Sequence, residues 1–432
     1  MNIKDFIKIF IQKNKTLLRN FSSLTALQIS QYLFPLITFP YLVRVLGPDG
    51  YGLVSFANAF IGYFTVITDY GFHLSATKDI SINRKNNSHK IEEIFNSVLG
   101  VKFLLFLLSI LLIVPILLFI PKFNQDVMIY FISFLAVFGT TIFPIWFFQG
   151  MEEMGYISNI SIVVKVLWVI SIFVFVNSKD DLIILVSLNA ISSIVTGIIG
   201  LWFAIVKFKL KLFIPSAEQI KYQLSDSWHY FLSNVSISLY TISNIFILGL
   251  FTNDTIVGYF SAADKIRYAI QNVTATAGRT IFPHLSSEFL RSHDAGFSFI
   301  RKYIKSMGSL ILLLSILLFI FSEQIVLLVV GEEYFKSIII LKILSVLPFI
   351  IFASNVAGIQ TMVNLGFKRE FANIIIIAGV LNIILSLILV PIYFELGSAV
   401  AVVITELVVT IKMLNFLKRK NINVFRKASS EL

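Results

Sequence analysis

Several charged side chains lie deep within the apolar stretches of this sequence. They are Asp69, Lys165, Asp264, Lys265, Arg267 and Glu406. A charge near the centre of a bilayer costs roughly 2.5–3.5 kcal/mol on insertion scales, so each needs a partner, a water-filled cavity or a function such as carrying an ion. Asp264 and Arg267 have the three-residue spacing of a helical ion pair. Lys165 has no acidic neighbour on its own helix, which favours a position facing a cavity.

Three further lysines lie nearer the ends of apolar stretches. Lys102 and Lys412 are within reach of the predicted cytoplasmic interface, and Lys342 is within reach of the outer one. A lysine can bury its hydrocarbon stem while its ammonium group extends to interfacial water. We therefore expect these three side chains to snorkel.

Polar residues recur along four of the predicted helices, two in each half of the chain. The stripes are Asn58, Gly62, Thr65 and Asp69; Asp264, Tyr268 and Gln271; Gln28, Gln31, Tyr32 and Thr38; and Ser233, Ser236, Tyr240, Ser243 and Asn244. Polar side chains also hold membrane helices together, so each stripe alone has two interpretations. Matching stripes in both halves favour a shared water-filled cavity.

The composition places these charges in a membrane protein. Of 432 residues 57% are hydrophobic and 14% are charged, whereas soluble domains have about 45–50% and about 25%. This excludes a soluble enzyme and a nucleic-acid-binding protein, although the net charge is +11. The chain has no Cys, and its five His show no ligand spacing, so no metal site is expected.

The apolar stretches predict an all-α integral membrane protein with twelve transmembrane helices. We place them near residues 20–44, 51–77, 94–119, 126–149, 155–176, 181–206, 226–251, 256–279, 306–321, 338–363, 371–390 and 396–417. None of the long runs alternates with a period of two, which argues against a membrane barrel. Residues 1–16 have the spacing of an amphipathic helix on the inner leaflet, and 418–432 form a basic tail.

Lysine and arginine counts predict the orientation. With the N-terminus in the cytoplasm, the cytoplasmic pieces carry 25 Lys and Arg and the external loops carry three. Cytoplasmic loops of membrane proteins carry an excess of basic residues. Both termini are therefore expected to be cytoplasmic.

Two short segments recur between the halves of the chain. The segment that begins at Tyr51-Gly52 matches the segment that begins at Val257-Gly258, at an offset of 206 residues. The segment that begins at Gln149 matches the segment that begins at Gln360, at an offset of 211 residues. Together they indicate a duplicated six-helix unit. Six spans per unit give both copies the same orientation, so the pseudo-twofold axis runs along the membrane normal. The predicted lobes are 17–210 and 226–417, joined by a cytoplasmic linker at 211–225.

The chain resembles the bacterial polysaccharide-transport family, the Wzx-type O-antigen flippases of the multidrug/oligosaccharidyl-lipid/polysaccharide (MOP) exporter superfamily. The residues that carry the resemblance are Phe39–Gly47 (FPYLVRVLG), Tyr51-Gly52, Phe147–Gly150 (FFQG), Ile247–Phe251 (ILGLF), Val257–Ile266 (VGYFSAADKI) and Gln360. It covers essentially the whole chain. Relatives often have an Asp-Arg pair where Asn244-Ile245 stand here, so the resemblance assigns no coupling role to that position.

The resemblance implies a MOP/MATE-like fold with a central cavity, in the inner membrane. It implies a translocase that moves undecaprenyl-diphosphate-linked oligosaccharide repeat units to the periplasmic leaflet by alternating access. The lipid bilayer, and a polymerase and a chain-length regulator of the same pathway, are the partners to consider; nucleic acid is not one. No cofactor is expected beyond a coupled proton or sodium ion.

With that substrate, three groups of residues receive roles. Arg44, Lys165, Lys265 and Arg267 would bind the diphosphate, with Lys165 and Arg267 facing the water-filled cavity; Gln28, Tyr32, Asn58, Tyr240, Asn244 and Gln271 would contact sugar; and Asp69, Asp264 and Glu406 would couple transport to an ion. Charge-assisted hydrogen bonds from lysine and arginine are the usual means of holding phosphate.

Two other functions remain open at this point. A multidrug–cation antiporter would share the architecture, but its cavity should favour acids, whereas the deep acids and bases here number three each. A membrane polysaccharide polymerase or acyltransferase should have a long external loop with basic or His residues. The predicted external loops contain only Lys122, Lys179 and Lys336 and no His.

Overall fold

The computed structural model describes residues 15–84 and 88–422, and within these ranges its regular structure is helical, without strands. The predicted amphipathic helix at 1–16 and most of the predicted tail at 418–432 lie outside the described residues. A helix satisfies its own backbone hydrogen bonds, which is the requirement for a segment surrounded by lipid.

The contacts divide the described chain into two units. The first consists of residues up to Leu46 together with Ala57–Val235, and the second of Gly47–Phe56 together with residues from Ser236 onward. The predicted lobes followed chain order, whereas here Gly47–Phe56 is grouped with the second unit.

The first part of the described chain forms nine α-helices, most of them long and apolar. They are α1 (Lys15–Asp69), α2 (Phe72–Asn83), α3 (Ser88–Phe119), α4 (Pro121–Asn124), α5 (Val127–Ile142), α6 (Ile145–Gly150), α7 (Met154–Phe175), α8 (Leu182–Phe208) and α9 (Ala217–Thr241). A 3₁₀ turn at Lys179–Asp181 precedes α8.

The helices of the second part are interrupted more often. They are α10 (Ser243–Phe251), α11 (Asp254–Arg291), α12 (His293–Tyr303), α13 (Ser309–Ile320), α14 (Ser322–Val329), α15 (Ser337–Leu344), α16 (Leu347–Asn355) and α17 (Lys368–Arg419). π-Helical turns at Ile304–Gly308 and Val356–Val363 follow α12 and α16, and a 3₁₀ turn at Glu332–Tyr334 precedes α15.

Two of these helices contain a break. In α1, Gly47 has φ 67° and ψ 177°, a conformation that glycine adopts easily because it has no Cβ. In α17, Phe394 has φ 51° and ψ −126° and follows Pro391, which lacks the N–H that a helix needs. Each of these two helices therefore contains two of the predicted spans.

The described residues contain eight helices long and apolar enough to cross a membrane, or nine if α9 and α10 form one bent span. This is fewer than the predicted twelve. Two fused pairs, in α1 and α17, account for part of the difference. The bent pair α9 and α10 and helix α11, which carries Asp264, Lys265 and Arg267 within one turn, account for the rest. The multi-pass helical architecture is confirmed, whereas the count of twelve stays a prediction.

The reciprocal approach of two glycines supports the internal duplication. A Cβ on Gly52 would clash with the main-chain oxygen of Asp254, and a Cβ on Gly258 would clash with that of Pro48. The two glycines are 206 residues apart, the predicted repeat offset. The N-terminal turns of the two equivalent helices thus contact each other through equivalent residues.

An aromatic core fixes the helices around the end of α1. Phe95, Trp146, Phe147 and Phe148 are fully buried, and the rings of Phe95 and Trp146 lie 5.8 Å apart. These residues come from α3 and α6, and the side chains of α2 pack into the same cluster. The core therefore holds α2, α3 and α6 in fixed positions around the polar groups described below.

Candidate functional site

The polar face of α11 carries a closed ion pair. Nε and Nη2 of Arg267 donate to Oδ1 of Asp264 at 2.8 and 2.6 Å, and Nη1 donates to Oε1 of Gln271. The guanidinium carbon lies 3.9 Å from the ring centroid of Tyr268. The pair that the three-residue spacing allowed is therefore present. Because Arg267 is 3% exposed, it does not face water here, unlike the sequence prediction.

The other predicted diphosphate ligands are more accessible. Lys265 and Arg44 are exposed, and Arg44 lies three residues before the break at Gly47. Lys165 is half-buried on α7, and its Nζ lies 5.4 Å from the ring centroid of Trp168. A cation over an aromatic face is stabilised but retains its charge. Lys265, Arg44 and Lys165 are thus more accessible than Arg267.

Asp69 is the last residue of α1 and joins two side chains. Its Oδ2 lies 2.9 Å from Nδ1 of His73, and its Oδ1 lies 4.0 Å from Nζ of Lys102. Nζ of Lys102 also donates to the main-chain oxygen of Thr140 at 3.1 Å. The prediction that Lys102 snorkels is wrong, because the side chain is 3% exposed and its ammonium group is held inside the unit.

Glu406 lies in a buried polar layer of α17. It is 6% exposed, and its main-chain oxygen accepts from Oγ1 of Thr410 at 2.9 Å. Nδ2 of Asn382 donates to Oγ1 of Thr405, the residue before Glu406, and Oγ of Ser386 donates to Oδ1 of Asn244, both at 3.3 Å. This layer joins α17 to α10, so the structure places Asn244 inside the second unit, as a hydrogen-bond acceptor.

The remaining predicted sugar contacts are on α1, α9 and α11. Nε2 of Gln28 donates to the Tyr32 hydroxyl at 3.5 Å, and both side chains are half-buried on α1. Asn58 is exposed. The side chain of Tyr240 lies outside the described part of the structure. Gln271 is in direct contact with a predicted diphosphate ligand, Arg267.

Two residues of this site, His73 and Lys102, were not among the predicted site residues. His73 lies four residues after Asp69, the spacing of helical neighbours, and that pattern could have identified it. Lys102 has no comparable signal, because its approach to Asp69 depends on how α3 packs. Within residues 15–84 and 88–422, no three His, Asp or Glu side chains are grouped to hold a metal ion.

A protein-family model described as "Polysaccharide biosynthesis protein" matches residues 17–289, more than half of the chain. The chain belongs to the polysaccharide biosynthesis protein family. A relative from Escherichia coli (strain K12), named "Putative O-antigen transporter", is 34% identical over 409 residues, covering 95% of this chain and 98% of the relative. The family that the sequence resembled is confirmed.

Two solved structures are similar to this family member in fold. One, titled "Lipid II flippase MurJ, inward closed conformation", has a TM-score of 0.71 at 14% identity, covering 92% of this chain and 87% of that one. The other, an inward-facing MATE family transporter of the MOP superfamily, has a TM-score of 0.62 at 16% identity, covering 94% and 100%. These likenesses confirm the predicted MOP/MATE-like fold.

Proposed function

We propose that this member of the polysaccharide biosynthesis protein family translocates undecaprenyl-diphosphate-linked oligosaccharide repeat units. The units belong to O-antigen or a related surface polysaccharide, and they move from the cytoplasmic to the periplasmic leaflet by alternating access. The observation that carries the proposal is the 34% identity, over nearly the full length of both chains, to a relative named as an O-antigen transporter. The protein acts as a transporter and not as an enzyme.

The geometry supports two different roles for the basic residues, contact with the substrate and support of α11. Lys265 and Arg44 are exposed and Lys165 is half-buried, so these three would make the first contacts with the diphosphate. Arg267 is already bound to Asp264 and Gln271, so its role would be to hold the polar face of α11 in shape. Asn58 and Gln28 offer amide groups for sugar hydroxyls.

We further propose that transport is coupled to an ion and that Asp69, Asp264 and Glu406 take part. Of these, Asp69 has a side chain that is 32% exposed and can exchange with solvent. Asp264 is 15% exposed within its pair, and Glu406 is buried. Asp69 is therefore the acid of the three that solvent reaches most easily in this conformation.

The proposed setting is the bacterial inner membrane, where the pathway's polymerase and chain-length regulator would receive the product. We expect both termini in the cytoplasm, because 25 Lys and Arg lie on the predicted cytoplasmic pieces and three on the external loops. Reporter fusions after Asn253 and Glu332 should be external, and fusions after Ser88 and His293 internal. Reversed results at any two of these positions would contradict this orientation.

Two experiments test the function. Deleting the gene should cause a lipid-linked oligosaccharide to accumulate on the cytoplasmic leaflet, and its chemical analysis would identify the sugar. Purified protein in liposomes should translocate a fluorescent prenyl-diphosphate oligosaccharide. Transport of organic cations, without movement of the labelled lipid, would show a multidrug antiporter instead.

We expect Lys265→Gln to lower that translocation rate by about tenfold. Removing one charge-assisted hydrogen bond to phosphate costs about 1.5 kcal/mol, which corresponds to about a tenfold change. Lys412→Gln is the matched control, because Lys412 is also exposed but lies near the predicted cytoplasmic end of α17. Equal rates for the two variants would remove Lys265 from the diphosphate site.

A further inference from the structure

The part of α1 that follows Gly47 ends at Asp69, in a sharp break beside a cluster of charged side chains. Tyr70 and Gly71, between α1 and α2, have φ values of 47° and 82°. The carboxylate of Asp69 accepts from the N–H of Gly71 and contacts Nδ1 of His73, the second residue of α2. The two side chains therefore bridge the break from either side.

Lys102 joins this cluster from a third helix. Its ammonium group is buried on α3, donates to the Thr140 carbonyl of α5, and has Asp69 as the carboxylate that balances its charge. A buried charge that loses its partner is strongly destabilising. The two carboxylate oxygens of Asp69 thus have different partners, since Oδ1 faces Lys102 and Oδ2 faces His73.

The arrangement determines where a proton can be added. A carboxylate accepts hydrogen bonds, so the neutral His73 ring carries its hydrogen on Nδ1 and has a lone pair on Nε2. A proton on Asp69 itself would leave the ammonium group of Lys102 without a balancing charge. The His73 side chain is 40% exposed and that of Lys102 is 4% exposed. Nε2 of His73 is therefore the accessible basic atom of the cluster.

A metal cation fits the cluster poorly. Sodium, like other hard cations, is held by several oxygen ligands. Here one oxygen of Asp69 faces His73 and the other faces the ammonium group of Lys102, which would repel a second cation. The titratable groups beside Asp69 are His73 from α2 and Lys102 from α3. The neighbouring α5 contributes the uncharged Thr140 carbonyl.

We propose that Asp69, His73 and Lys102 form a proton-binding site and that the proton is the coupling ion, an inference that rests on the proposed transport function. A proton from water adds to Nε2 of His73, which converts the neutral ring to imidazolium and the net charge of the cluster from zero to +1. The single carboxylate of Asp69 then lies beside two cations, the His73 imidazolium and the Lys102 ammonium group. Its electrostatic interaction with Lys102 weakens because the imidazolium is nearer.

Because the cluster lies where α1, α2 and α3 meet, this change of charge would alter how the end of α1 is held against α3. Helix α2 is tied to the rest of the first unit by Ser75, which is 2.8 Å from Ser227, and by Thr77, which donates to the Trp146 carbonyl at 3.1 Å. Helix α1 is joined to α2 by the two-residue break at Tyr70 and Gly71 and by the contact between Asp69 and His73. A weaker contact between Asp69 and Lys102 therefore frees the end of α1 to move relative to α3.

The first experiment measures translocation in proteoliposomes with and without an imposed proton gradient. For the wild type the ratio of the two rates should exceed one, and for His73→Gln the stimulation should be lost. His293→Gln, at an exposed histidine at the start of α12, is the matched control and should keep it. Stimulation that persists in His73→Gln, or stimulation by a sodium gradient alone, would overturn the proposal.

The second experiment does not need the transported lipid. In this Cys-free chain, Leu74→Cys reports on the start of α2, and Leu290→Cys, 90% exposed, is the reference thiol. The ratio of their maleimide labelling rates should change between neutral and mildly acidic pH, and this change should be absent with His73→Gln. A ratio that is insensitive to pH in the wild-type background would overturn the proposal.

The two experiments separate the inference from the function on which it rests. A pH-dependent labelling ratio that requires His73, in a protein that moves no prenyl-diphosphate oligosaccharide, would retain the proton site and refute the proposed function. Translocation without a proton response would do the reverse. If His73→Gln fails to fold, Asp69→Asn combined with Lys102→Met removes both fixed charges together and should also abolish the stimulation.

Discussion

Asp264→Asn is expected to lower the free energy of unfolding by about 3–5 kcal/mol, the usual cost of removing one partner of a buried ion pair. The variant keeps the size of the side chain but leaves Arg267, which is 3% exposed, without a balancing charge. Gln271 and the Tyr268 ring remain as neighbours, and neither carries a negative charge. The measurement is the free energy of unfolding of the purified protein in detergent.

The double variant Asp264→Asn, Arg267→Met separates a pair effect from a packing effect. With both charges gone we expect most of the lost stability to return, because an apolar pair of similar size is often as stable as the ions. Asp294→Asn, at an exposed position in the first turn of α12, should change stability by less than about 0.5 kcal/mol. If the double variant is as unstable as the single one, the pair is not the reason for the loss.

The class of this protein could be predicted from composition alone, because a chain with 57% hydrophobic residues has to place most of them against lipid or other helices. The positions of most helices followed from the lengths of the apolar runs. The fusion of neighbouring spans into one bent helix did not, since the backbone at Gly47 and Phe394 changes direction without leaving the helical hydrogen-bond pattern on either side. A window of hydropathy detects apolar residues and not the angle between two helices.

The candidate site shows the same limit for side chains. Contacts within one helix could be predicted, as for Asp264 with Arg267, because a spacing of three or four residues brings side chains together. The approach of Lys102 to Asp69 could not, because it depends on the packing of α3 against the end of α1. Position within an apolar stretch likewise could not distinguish the buried Arg267 from the exposed Lys265 two residues before it.

Asp69→Leu is the second substitution for which we expect a large loss, about 3 kcal/mol of unfolding free energy. This is the lower end of the range for a broken buried pair, because Asp69 is 32% exposed and water can approach through its place. The Lys102 ammonium group would keep its hydrogen bond to the Thr140 carbonyl but lose the carboxylate that balances its charge.

Lys102→Met should have little effect on stability by itself, since methionine fills the same apolar surroundings and Asp69 keeps His73 as a partner. In the double variant, Lys102→Met should therefore rescue most of the loss caused by Asp69→Leu. Unfolding of the four proteins under one set of detergent conditions measures the coupling between the two residues. Losses that simply add would mean that Asp69 and Lys102 do not stabilise each other, and the charge balance on which the proton site depends would be absent.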